Sequence, residues 1–99
     1  MAPRRFEEAE IRQGMKDLPD WNLAGDLRSI SRRFTFADFN RAFGFMTQVA
    51  MEAEKLNHHP EWANVYKTVD VKLNTHDVDG LSELDFKLAL MMDKLAGSR

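Results

Sequence analysis

The hydrophobic period changes across Asn57-His58-His59-Pro60, and that change constrains the layout of the whole chain. Before it, from about Phe36 or Ala37 to Asn57, apolar residues recur every third or fourth position, the spacing of one helix face. After it the pattern alternates. Val65, Val69, Val71 and Leu73 fall on one side and Tyr66, Thr68, Asp70 and Lys72 on the other, as on a strand, with Lys67 interrupting the apolar side. Pro60 does not continue a helix comfortably and biases His59 away from helical dihedrals. A long helix therefore ends here and turns into a strand. The two-sided alternation predicts a sheet covered on one face, hence antiparallel.

For the long helix the spacing predicts an inward face of Phe39, Phe43, Met46, Ala50, Ala53 and Leu56. Phe45, Val49 and Met51 widen or leave that stripe. So much apolar surface suits a helix that meets a sheet on one side and another protein on the other, with Phe45 and Met51 exposed. Thr35-Phe36-Ala37-Asp38 and Ser82-Glu83-Leu84-Asp85 both have capping-box spacing.

The other segments complete the order. Phe6 to Leu18 reads as a helix with early acids, weakened by Gly14 and ended by Pro19-Asp20. Residues 1–5 read as a frayed basic tail. Trp21-Asn22-Leu23 and Ile30 to Phe36 read as two strands around a turn at Ala24-Gly25-Asp26, with Ile30, Arg32, Phe34 and Phe36 on one side. Thr75 to Gly80 reads as a connection that holds at most a very short strand. A last helix to about Leu95 carries the stripe Leu84, Leu88, Met91 and Leu95, and Gly97-Ser98-Arg99 frays. The expectation is an α+β fold, an antiparallel four-stranded sheet with helices packed on one face, in the order α-β-β-α-β-(β)-α. With 99 residues and neither an internal repeat nor a linker, a single domain over 1–99 is expected.

Charge is close to balanced, 14 Lys and Arg against 16 Asp and Glu, so nothing general favours nucleic acid or an anionic membrane as partner. Arg28, Arg32 and Arg33 form a small basic group, read as a solvated strand face or an anion contact. There is no cysteine, which excludes disulfides and thiolate nucleophiles. The start lacks the apolar run of a signal peptide and no segment approaches a membrane span, so a soluble cytoplasmic protein is the expectation. The small core is rich in Phe and Met, which favours oligomerisation.

The chemical lead is the histidines. His58 and His59 sit beside Trp62, and His76 lies beyond the far end of the strand. A calcium loop at Asp77-Val78-Asp79-Gly80 fails, because its twelfth position is Phe86 instead of a bidentate carboxylate. Zinc is disfavoured because neighbouring histidines at a helix end diverge and no His-Glu-x-x-His occurs. A capping or packing role for any one histidine stays open. Proton transfer also stays open, since imidazole titrates near neutrality and two or three around a pocket can act as base and acid. Asp85 can orient an imidazole or bind a ring N–H, in competition with its capping role.

Taken together, Glu54-Lys55-Leu56-Asn57-His58-His59-Pro60-Glu61-Trp62, Val65-Tyr66, Thr75-His76, Gly80-Leu81-Ser82 and Asp85 resemble the pterin-4a-carbinolamine dehydratase family. Phe39 to Met46 also looks like that family's long helix, and the resemblance spans roughly residues 18–95. It implies a lyase that dehydrates 4a-hydroxytetrahydrobiopterin to quinonoid dihydropterin by histidine acid/base catalysis, without metal or bound cofactor. This recycles pterin for aromatic amino acid hydroxylases. It implies His58 and His76 as proton-transfer groups, with base and acid unassigned, and His59 as a pterin contact. Asp85 is the motif carboxylate, Trp62 a pocket wall, and Glu54 a contact one turn before His58. It also implies homodimers or homotetramers. Animal relatives partner a homeodomain transcription factor through the long helix, so the alternative is a helix-mediated interaction or dimerisation module for a transcriptional regulator. No such partner follows for this chain.

Overall fold

The computed structural model describes residues 2–97. The chain runs α1 (Glu8–Met15), β1 (Asn22–Leu23), β2 (Ile30–Thr35), α2 (Phe39–Leu56), β3 (Glu61–Val65), β4 (Thr68–Leu73), a 3-10 turn (His76–Val78) and α3 (Glu83–Gly97). The four strands form one antiparallel sheet in the order β1-β2-β4-β3, with the helices on one face. This is the expected α+β fold and element order.

Register explains which side chains face the helices. Ile30 pairs with Leu73, Phe34 with Val69 and Arg32 with Val71, so these residues share the covered face. Phe34, Phe45, Ile30, Leu73, Val49, Val69, Leu88 and Met92 are fully buried there. Each such side chain contributes about 1.5–3 kcal/mol of transfer free energy. The Phe34 ring lies 4.8 Å from that of Phe45 and 5.9 Å from Trp21, joining sheet, α2 and the first turn.

The structure rotates α2 relative to the expected stripe. Its buried residues are Ala42, Phe45, Val49 and Ala53, while Phe39, Phe43 and Met51 are about half exposed and Ala50 is exposed. Two overlapping apolar stripes exist on this helix, and the one with more aromatics faces outward. Small Ala42 and Ala53 allow a close approach to the layer beneath, while Phe45 supplies the single large plug. Phe45 is thus core, not partner surface.

Ends and turns differ too. Asp38, not Thr35, caps α2 by accepting from the Arg41 N–H at 2.8 Å. Its end at Asn57 is the expected one, and Asn57 takes left-handed dihedrals of φ 51° and ψ 43° there. The His58 N–H then reaches the Ala53 carbonyl and the Asn57 N–H the Glu54 carbonyl, a Schellman pair. The expected single strand over Val65–Leu73 is instead a hairpin, β3 and β4 joined at Tyr66-Lys67. Tyr66 takes φ 52° there without being Gly or Asn, the residues that mark such turns. The side-chain amide of Asn64 bridges the turn to the Tyr66 and Thr68 carbonyls. Val65 is consequently exposed on the edge strand. Around the 3-10 turn, Thr75 and Gly80 form an isolated bridge.

The N-terminal arm is docked from Pro3 onward, not frayed. The Phe6 N–H donates to the Leu81 carbonyl, and the Phe6 ring stacks on Phe86. Arg4 pairs with Glu10, whose carboxyl that guanidinium holds down to about 2. Gly14 fits because a β-carbon there would lie 2.7 Å from the Phe86 ring. Expected fraying at Ser98 and Arg99 lies outside the described residues. The arginines of the small basic group are dispersed among separate acids, Arg28 with Asp79, Arg32 with Asp93 and Arg33 with Asp70, so they form no anion cluster. Arg32 does turn to the covered side, laying its head over the Phe34 ring.

Candidate active site

The hairpin decides where the histidines meet. β3 begins where β4 ends, Glu61 opposite Lys72, so the residues before β3 and after β4 share one end of the sheet. His58 and His59 precede β3, and His76 follows β4. All three line one cleft of about 540 Å³, with Pro3, Leu56, Asn57, Asn74, Thr75, Asp77 and Leu84. That volume is in the range of small-molecule sites.

The three imidazoles sit in different surroundings. His58 is only 8% exposed, and its Nε2 lies 2.6 Å from Asp85 Oδ1. Asp85 is fully buried beneath it. Asp85 Oδ2 accepts from the Thr75 hydroxyl at 2.7 Å and from the Ser82 N–H at 3.0 Å. Ser82 Oγ in turn lies 2.7 Å from Thr75 Oγ1 and accepts from the Leu84 N–H at 3.3 Å. Ser82 Oγ caps α3 at the Leu84 N–H, and the Asp85 carboxylate returns to the Ser82 N–H, so that carboxylate serves two roles at once: one oxygen caps α3, the other holds His58. His59 is exposed, its Nε2 2.9 Å from Glu54 Oε1. His76 is the most open, its side chain 82% exposed, with Glu61 Oε2 3.7 Å from Nε2. Asn74 donates to that same Glu61 oxygen at 2.6 Å.

Two expected site residues are placed differently. Glu54 meets His59, not His58, because the left-handed Asn57 swings the chain off the helix face on which a regular turn would stack 54 and 58. Trp62 pairs across the sheet with Val71, so strand alternation turns it to the covered face, where it packs half-buried against the core. Leu56, Leu84 and Pro3 supply the cleft's apolar surface instead. Asp85 takes the first of the two roles open to it, holding the imidazole of His58, and with no exposure it does not itself line the cleft. Among the described residues, no three metal-ligating side chains stand in metal-holding geometry, and no helix is long and apolar enough to cross a membrane.

Sequence reasoning misses Thr75, Ser82, Glu61, Asn74 and Pro3. The spacing Ser82 to Asp85 hints at the capping bonds but not at the Thr75 hydroxyl, which arrives through the bridge to Gly80. Nothing in the sequence indicates that Pro3 reaches the cleft.

The family model described as pterin 4 alpha carbinolamine dehydratase matches residues 4–95. A protein of Rhizobium leguminosarum bv. trifolii (strain WSM2304) named for pterin-4-alpha-carbinolamine dehydratase is 58% identical over 99 residues, covering 100% of this chain and 98% of its own. One so named from Chelativorans sp. (strain BNC1) is 56% identical over 96 residues, 97% of this chain and 98% of its own. A crystal structure described as a transcriptional coactivator/pterin dehydratase from Brucella melitensis superposes with a TM-score of 0.91 at 47% identity, over 95% of this chain and all of that one. A pterin dehydratase-like protein described as a RuBisCO assembly factor in the alpha-carboxysome superposes with a TM-score of 0.69 at 25% identity, over 81% of this chain and 93% of that one.

Proposed function

The chain belongs to the pterin 4 alpha carbinolamine dehydratase family, and from that membership we propose that it dehydrates a pterin-4a-carbinolamine in the cleft of the three histidines. The observation that carries the reading is the pairing of a sheltered imidazole, His58 on a buried carboxylate, with an open one, His76, around the same cleft. Dehydration breaks the C4a–O bond and removes a proton from ring nitrogen, leaving quinonoid dihydropterin and water. It therefore needs one group to take a proton and one to assist the departing hydroxide, and each well-placed group is worth roughly 10²–10⁴-fold. His58 and His76 are the proton-transfer pair. His59, steadied by Glu54, binds and orients the pterin, and Leu56, Leu84 and Pro3 give the flat ring an apolar contact. The chemistry serves pterin recycling beside an aromatic amino acid hydroxylase, in the cytoplasm.

Binding is tested with a stable pterin. Titrating 7,8-dihydrobiopterin into the protein should move the imidazole NMR signals of His58, His59 and His76 together along one saturation curve. His59→Ala should weaken that binding roughly ten-fold, about the worth of one lost hydrogen bond. Absence of any movement at the three histidines would remove the site from consideration.

The outward face of α2 supports a homo-oligomer, dimeric or tetrameric. Phe39 and Phe43 are 49% and 56% exposed with ring centroids 5.8 Å apart, and Met51 is 57% exposed. Exposed apolar side chains gathered on one helix face mark an interaction surface. Phe43→Glu should lower the solution mass measured by light scattering while the wild-type fold persists. An unchanged mass would place assembly elsewhere.

A further inference from the structure

The protons of the buried network under His58 can be placed by counting donors. Thr75 has one hydroxyl hydrogen, and it points at Asp85 Oδ2. In the 2.7 Å contact between the two hydroxyls, Ser82 is therefore the donor. Ser82 Oγ accepts from the Leu84 N–H, and the Ser82 N–H adds a second bond to Oδ2. Every proton on this side points toward Asp85. Two donors on one oxygen favour the acceptor-only, ionised form of the carboxylate. Its 2.6 Å contact with His58 is then Nε2–H donating to Oδ1. A neutral imidazole carries one N–H, so Nδ1 is left with a lone pair. His58 lines the cleft, and Nδ1 is the nitrogen free to meet a bound molecule.

We propose that the Thr75–Ser82 hydroxyl pair is a positioning relay which, through Asp85, fixes His58 in the Nε2–H tautomer and so makes it the proton acceptor of the reaction. His76 is then the group that assists the departing hydroxide. The catalytic consequence rests on the dehydratase reading, whereas the tautomer rests on the hydrogen bonds alone. Thr75 is well suited to the task. Its backbone is tied to Gly80, with its N–H 2.7 Å from the Gly80 carbonyl, and it directly precedes His76. One residue thus couples the ring orientation of His58 to the position of His76.

A merely structural pair would satisfy a buried carboxylate without influencing the ring, and the two roles separate in the imidazole ¹⁵N spectrum. With ¹⁵N-histidine and neutral rings, wild-type His58 should show a protonated Nε2 and an unprotonated Nδ1. Thr75→Val keeps the side-chain shape and removes one donor. It should raise the Nδ1–H population and lower kcat roughly ten-fold, the worth of one hydrogen bond to a charged group, with KM close to wild type. Thr75→Ser should restore both spectrum and rate. Ser82→Ala, which leaves its own N–H on Asp85, should shift the spectrum in the same direction but less. A folded Thr75→Val protein with the wild-type tautomer and kcat would overturn the relay. A wild-type His58 protonated at Nδ1 would overturn it too, whatever the variants do. Wild-type protein that shows the Nε2–H tautomer but does not accelerate dehydration would sink the dehydratase reading and leave the tautomer assignment standing.

Discussion

His58→Ala should slow carbinolamine dehydration by roughly 10²–10⁴-fold, the worth of one positioned acid or base. The same change removes a donor from Asp85, a carboxylate with no exposure. Losing a hydrogen bond to a buried charge costs about 1–3 kcal/mol, so the midpoint of urea unfolding should fall as well. His76→Ala is the control for that second effect. Its side chain is 82% exposed, so stability should stay within about 0.5 kcal/mol of wild type while activity falls steeply. Rate and unfolding measured on both variants separate chemistry from packing. Full activity in both would show that the proton-transfer pair is misassigned.

Asp85→Asn should give the second large loss, by a different route. The amide keeps the carboxylate's shape but presents an NH₂ in place of one oxygen. Thr75 and the Ser82 N–H both donate to Oδ2, so the amide oxygen stays there and the NH₂ faces His58 Nε2. The ring can accept from that NH₂ only by moving its own proton to Nδ1. The network is then satisfied again, and the unfolding free energy should change by only about 1 kcal/mol. The lone pair toward the cleft is lost, however, and kcat should drop roughly 10²-fold or more, as expected when a catalytic imidazole is held in the wrong tautomer. Asp85→Ala differs, since it strands three donors and should be the less stable of the two. An Asp85→Asn protein with wild-type kcat would show that the carboxylate only caps α3.

The legible parts of the fold were those carried by local rules. The change of period at Asn57–Pro60 and the helix at Ser82-Glu83-Leu84-Asp85 rest on spacing within one turn, and both are found. What failed needed tertiary information. The stripe through Phe39 and Phe43 is as apolar as the one through Ala42 and Phe45, and only the layer beneath chooses between them. The hairpin at Tyr66-Lys67 carries no glycine or asparagine within its turn, so the alternation ran through it unmarked. That missed turn hid the geometric reason the histidines meet in one cleft. The motif residues themselves were readable through resemblance. The hydroxyl pair behind Asp85 was not, because Thr75 is brought to Ser82 by the bridge between Thr75 and Gly80, whose partners are spaced by no periodic rule.

The central claim is tested most directly by following 4a-hydroxytetrahydropterin, freshly generated in solution, as it loses water with and without the protein. The carbinolamine decays by itself, so the signal is the excess rate. If the three histidines form a dehydratase site, that excess rises in proportion to protein concentration and collapses toward the spontaneous rate in His58→Ala. A decay that is the same with wild-type protein as without it would contradict the account.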